Sequence, residues 1–72
     1  MKRVTLTVTG MRDIRTEARV QQALDELSGV LSCDIEPPYA RVHAGDRLDN
    51  ATLLEAVGKA GCSAVVMGEQ YE

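Results

Sequence analysis

The chain has 72 residues, a net charge of −3 and only two aromatic side chains, both Tyr. A chain of this length holds one small domain, expected over residues 1–72, and its core must be aliphatic. The Lys and Arg residues form no basic block, which argues against nucleic acid as a partner. No apolar run is long enough for a membrane span and no charged-then-apolar leader opens the chain, so we expect a cytoplasmic protein without direct membrane insertion.

The first half of the chain begins with a strand followed by a helix. Residues Val4 to Thr9 alternate between aliphatic and Thr side chains, which predicts a half-buried strand. From Thr16 to Leu27 the period changes to that of a helix with one apolar face, and Asp13 or Thr16 is a suitable cap for its start. The residues of that face are Val20, Ala23, Leu24 and Leu27.

The second half continues with two strands, a helix and a last strand. Pro37-Pro38 cannot donate to a ladder and therefore links the second and third strands as a hairpin. The second helix is expected to begin at Asp49 or Asn50 and to end at Gly61. The predicted strands are Val30–Glu36, Tyr39–Ala44 and Ala64–Met67, with Gly68–Glu72 as a polar tail.

This order predicts an α+β fold of the ferredoxin-like βαββαβ type, with a four-stranded antiparallel sheet and both helices on one face. Right-handed crossovers give the strand order 4-1-3-2. Cys62 should then lie close to the loop formed by residues 10–16, whereas Cys33 lies on the opposite edge strand. Three strand spacings of about 4.8 Å separate the two thiols, too far for a disulfide, so both are predicted to be free.

The chain resembles the heavy-metal-associated domain family, which includes copper chaperones and the metal-binding domains of P-type ATPases and mercuric reductases. The similarity covers nearly the whole sequence and includes the Gly-Met opening of the loop, both helices and their ends. The matching segments are Val8-Thr9-Gly10-Met11, Ala18-Arg19-Val20, Ala23-Leu24, Leu27-Ser28-Gly29-Val30, Leu53-Leu54-Glu55-Ala56-Val57 and Lys59-Ala60-Gly61.

The sequence departs from this family at its metal motif. The family's loop is Gly-Met-x-Cys-x-x-Cys, whose two thiolates hold Cu(I) or Hg(II), or help hold Zn(II). Here Asp13 and Thr16 stand at the two Cys positions, so the CxxC motif is degenerate. Cys62 stands where the family usually has an aromatic residue or Lys, and it is a relocated thiol ligand, a redox-reactive thiol or a packing residue. The resemblance implies that Met11 points into the core.

Two functions follow as hypotheses, and neither is enzymatic, because no nucleophile–base set is visible. The first is a protein-interaction or regulatory module without a cofactor, acting on a protein partner or by self-association. Its contact loop would comprise Met11, Arg12, Asp13, Ile14, Arg15 and Thr16. Here Arg12 and Arg15 either attract an acidic partner or are solvated loop charges.

The alternative is a metal-binding or metal-transport module, similar to a copper chaperone, with an altered or weak site. Its weak candidate ligands are Cys62 and Asp13, and its ion would be a soft metal such as Cu(I), Zn(II) or Hg(II). A further surface, the face of the sheet away from the helices, is polar enough for solvent but is also a candidate for pairing two chains. Its expected residues are Thr5, Thr7, Arg41, His43 and Val65.

Overall fold

The computed structural model describes residues 1–71. Its elements follow the predicted βαββαβ order: β1 (Lys2–Thr9), α1 (Ile14–Asp25), β2 (Val30–Glu36), β3 (Tyr39–Ala44), α2 (Asn50–Lys59) and β4 (Ser63–Tyr71). All neighbouring strands pair antiparallel, and their order β2-β3-β1-β4 confirms the predicted 4-1-3-2 sheet. Neither helix of residues 1–71 is long and apolar enough to cross a membrane.

The core lies between one face of the sheet and the two helices, and it is aliphatic as the composition requires. Every second residue of β1 is buried, and these side chains meet the apolar faces of α1 and α2. Each fully buried aliphatic side chain stabilises the fold by about 1.5–3 kcal/mol. The largest fully buried side chains are Leu6, Leu24, Leu53, Val4, Val20, Val42 and Val57.

Helix α1 starts two residues before the predicted Thr16 and ends at Asp25 rather than Leu27. Asp13 is its N-cap, so the first of the two predicted caps is the one used. At α2 the N-cap is Asp49, but its side chain makes no capping hydrogen bond. Asn50, the other predicted cap, is instead the first helical residue, and its side chain forms hydrogen bonds with Lys2 and Glu69.

Strand β4 is longer than predicted, and the prediction of a polar tail over residues 68–72 is wrong for the part that the structure describes. The register against β1 shifts, so that Leu6 faces Val66 while Thr5 faces Gly68, and Met67 is skipped as a bulge. The strand then continues to Tyr71 against the first residues of β1. Glu72 lies outside the described residues.

The bulge brings Glu69 to a buried ammonium group. Glu69 faces Val4 in the ladder, and its Oε1 lies 3.5 Å from Lys2 Nζ. Lys2 is only 3% exposed and also donates to Asn50 Oδ1 at 3.1 Å. Asn50 Nδ2 donates in turn to Glu69 Oε2 (3.1 Å), and the Tyr71 hydroxyl donates to Glu69 Oε1 (2.7 Å). This Lys2 cluster joins the start of β1, the start of α2 and the end of β4.

Replacing Asn50 with Ala should lower the free energy of unfolding by about 1–3 kcal/mol, because the buried Lys2 ammonium loses its nearest acceptor. Urea denaturation measures this difference. The matched control is Gln70→Ala, one residue from the Glu69 of this cluster but exposed. A loss for Asn50→Ala no larger than that of the control would show that the cluster does not stabilise the fold.

Candidate functional site

The Gly10–Thr16 loop leaves the end of β1 over the thiol of Cys62. Gly10 has φ +102°, a conformation that favours Gly, and it lets the chain turn out of the strand. A Cβ atom built on Gly10 would lie 3.6 Å from Cys62 Sγ. Thr9 faces Ser63 across the β1–β4 ladder, so the two segments lie side by side. The predicted closeness of Cys62 to the loop is therefore confirmed.

Within the loop, Asp13 and Thr16 are bonded to each other. The Thr16 backbone N–H and the Thr16 hydroxyl both donate to Asp13 Oδ1, each at 2.9 Å. This is the N-cap arrangement that satisfies free N–H groups in the first turn of a helix. The backbone N–H of Thr16, followed by its hydroxyl, lowers the pKa of Asp13 below the ordinary value of 3.8. The side chains at the two positions of the family's cysteines are thus bonded to each other at the start of α1.

The other loop side chains divide into one that packs and three that project. Met11 is half-buried and packs against the core, as the resemblance implied. Arg12 and Arg15 are exposed, and Ile14 exposes 81% of its surface. The loop therefore presents an aliphatic side chain flanked by two guanidinium groups.

The two cysteines are free and buried, Cys62 at 7% exposure and Cys33 at 8%. Burial, reinforced by the negative charges of Asp25 and Asp34, raises the pKa of the Cys33 thiol to about 12. Cys33 is therefore protonated at neutral pH and has the character of a core residue.

Residues 1–71 contain no group of three or more His, Cys, Asp or Glu side chains placed to hold a metal ion. Cys62 and Asp13 as metal ligands remain a prediction.

His43 lies on the open face of the sheet, where its Nε2 accepts a hydrogen bond from Arg3 Nε at 3.1 Å. Sequence reasoning did not find Arg3 on this face, nor the Lys2 cluster; alternation from the buried Val4 would have found Arg3.

Replacing Asp13 with Ala should lower the urea midpoint, because both hydrogen bonds of Thr16 lose their acceptor, whereas Asp13→Asn should preserve most of the cap. The folded-state pKa of Asp13 is depressed, so the carboxylate's contribution is present above the ordinary pKa. It is lost as the pH falls through the lower folded value. The difference between wild type and Asp13→Ala should therefore shrink below about pH 4. An equal difference at neutral and acidic pH would contradict this role.

No protein-family model matches the chain, and no curated protein matches it. Solved structures do. The copper-binding domain of HMA7, a P-type ATPase, superposes with a TM-score of 0.92 at 23% identity, covering 99% of this chain and 100% of the other. The N-terminal domain of PacS from Synechocystis PCC6803 gives 0.82 at 26% identity, covering 92% and 97%. Oxidised MerP from Ralstonia metallidurans CH34 gives 0.87 at 26% identity, covering 94% and 100%. The resemblance seen in the sequence is confirmed, and the chain has the ferredoxin-like fold of the heavy-metal-associated domains.

Proposed function

We propose that this chain is a non-enzymatic heavy-metal-associated-like module whose Gly10–Thr16 loop binds a protein partner, or a second copy of the chain, instead of holding an ion. The observation that carries the proposal is the pair of hydrogen bonds from Thr16 to Asp13 Oδ1. A loop that is already closed by its own side chains keeps its shape without metal.

The chemistry of these two side chains argues in the same direction. Soft ions such as Cu(I) prefer thiolates, and neither a carboxylate nor a hydroxyl is a soft ligand. An ion bound to Asp13 Oδ1 would also compete with both hydrogen bonds that this oxygen accepts from Thr16. A hard cation prefers several oxygen ligands, and a single carboxylate binds it weakly.

The projecting side chains supply the contact surface. Ile14, at 81% exposure, is an aliphatic anchor that a partner can enclose in a recess. Exposed Arg12 and Arg15 flank it and favour carboxylate groups around that recess. Because α1 begins at Ile14, the anchor stands on a fixed helical turn rather than on a free loop.

Replacing Ile14 with Asp should remove partner binding without unfolding the chain, since the side chain is exposed. Affinity capture from the native host, with each retained protein quantified, measures the loss. The matched control is Leu31→Asp, an equally drastic change at a side chain that is 61% exposed on β2. A capture profile that is identical for wild type, Ile14→Asp and Leu31→Asp would contradict the proposal.

A second candidate function, metal binding through Cys62, has one observation in its favour. Cys62 Sγ lies 3.6 Å from a Cβ built on Gly10, and the next residue, Met11, packs its side chain against the core cluster that includes Cys62. A thiolate and a thioether are both soft ligands. Such a site would hold an ion with fewer thiolates than the family's pair.

Native mass spectrometry under reducing conditions, with added Cu(I), Zn(II) or Hg(II), separates the two candidates. The interaction module predicts no stoichiometric metal complex. Stoichiometric binding that Cys62→Ser removes and Cys33→Ala preserves would support the metal module and overturn the first proposal.

A further inference from the structure

The outer edge of β4 is a row of free backbone groups. β4 is the last strand of the sheet and pairs with β1 on one side, and residues 1–71 provide no strand for the other side. Unpaired N–H and C=O groups on such an edge can pair with another strand unless charges, Pro or a covering element prevent it.

The opposite edge, β2, is protected in several of these ways. Asp34 and Glu36 place two carboxylates on it, and Glu36 Oε2 lies 3.5 Å from Arg41 Nη1. The register of β2 against β3 also shifts between Val30 and Ser32, which distorts the start of the strand. An incoming strand would meet negative charge and an irregular edge there.

Before its own bulge at Met67, β4 lacks this protection. Ser63 to Met67 contains no charged residue and no Pro, and Val65 and Met67 are 66% and 62% exposed. The first charged residue, Glu69, lies beyond the bulge, where its Oε1 is 3.5 Å from Lys2 Nζ. The first half of the β4 edge therefore carries no charge of its own.

We propose that β4 pairs antiparallel with β4 of a second copy, about a two-fold axis near Val65, and so joins two four-stranded sheets into one of eight strands. In such a pairing the same segment of each copy lies opposite its counterpart. Two uncharged segments avoid the repulsion between like charges that two charged segments would have. Val65 faces Thr7 on the open side of the sheet, so the two Val65 side chains would contact each other there. Pairing β4 with β2 of another copy would bring carboxylates to the contact and build an open-ended array, whereas the two-fold pairing closes on itself.

The predicted interface is small. One pair of short strands buries well under the roughly 1,200 Å² typical of a stable complex, so we expect association only at high protein concentration. The surface begins beside the Gly10–Thr16 loop, because Ser63 faces Thr9, but it does not include Ile14 at the start of α1.

Sedimentation velocity over a concentration series tests this pairing in the full chain. Wild type should shift from monomer to dimer, and Val65→Lys should remain monomeric at every concentration. Leu31→Lys, the same change on the β2 edge, should dimerise as wild type does. A monomeric wild type, or a dimer that Ile14→Asp abolishes and Val65→Lys retains, overturns the proposal.

Cross-linking gives a second readout that does not depend on a charged variant. Val65→Cys should form a disulfide-linked dimer on mild oxidation, because opposed side chains of paired strands lie within disulfide reach. Leu31→Cys should not, and the native thiols are buried. Equal cross-linking of the two variants would show random collision and overturn the two-fold pairing.

Discussion

The loop between β1 and α1 depends on one hydrogen-bonded pair, Asp13 and Thr16. Two donors of Thr16 converge on a single carboxylate oxygen, start helix α1 and depress the pKa of Asp13. The same bonds hold Ile14 in the first helical turn, where it projects into solvent. In the family's motif these two positions carry thiolates, whereas here a carboxylate and a hydroxyl at the same positions are bonded to each other. The fold of the whole chain superposes on that of a copper-binding domain with a TM-score of 0.92.

At the other end of β1, the Lys2 cluster of hydrogen bonds and an ion pair connects the sheet to α2. Lys2 is buried beside Asn50 and Glu69, and this cluster connects three elements that are distant in sequence. It requires Glu69 on the helix side of β4, which the bulge at Met67 provides. The bulge therefore supplies a carboxylate partner to a buried ammonium group.

The topology could be predicted from the sequence because its signals are local and strong. The bounds of β2 and β3 follow from period-two alternation and from Pro37-Pro38, and right-handed crossovers then bring Cys62 to Gly10. The C-terminal half of β4 could not be predicted, since a bulge inverts the alternation and makes a paired strand look like a polar tail. The early start of α1 was missed because its first residue, Ile14, lies outside the apolar stripe. Asp13 and Thr16 are both good caps, so composition alone does not choose between them.

The site is less determined by sequence than the fold, because the chain does not encode the surface of the proposed partner. The most direct test of the central claim is amide hydrogen exchange by NMR on chelator-treated, metal-free protein, followed by addition of Cu(I). A loop closed by its own side chains predicts a protected Thr16 amide without metal and no change in residues 10–16 when Cu(I) is added. Rapid exchange at Thr16 that becomes slow only on adding the ion would contradict it.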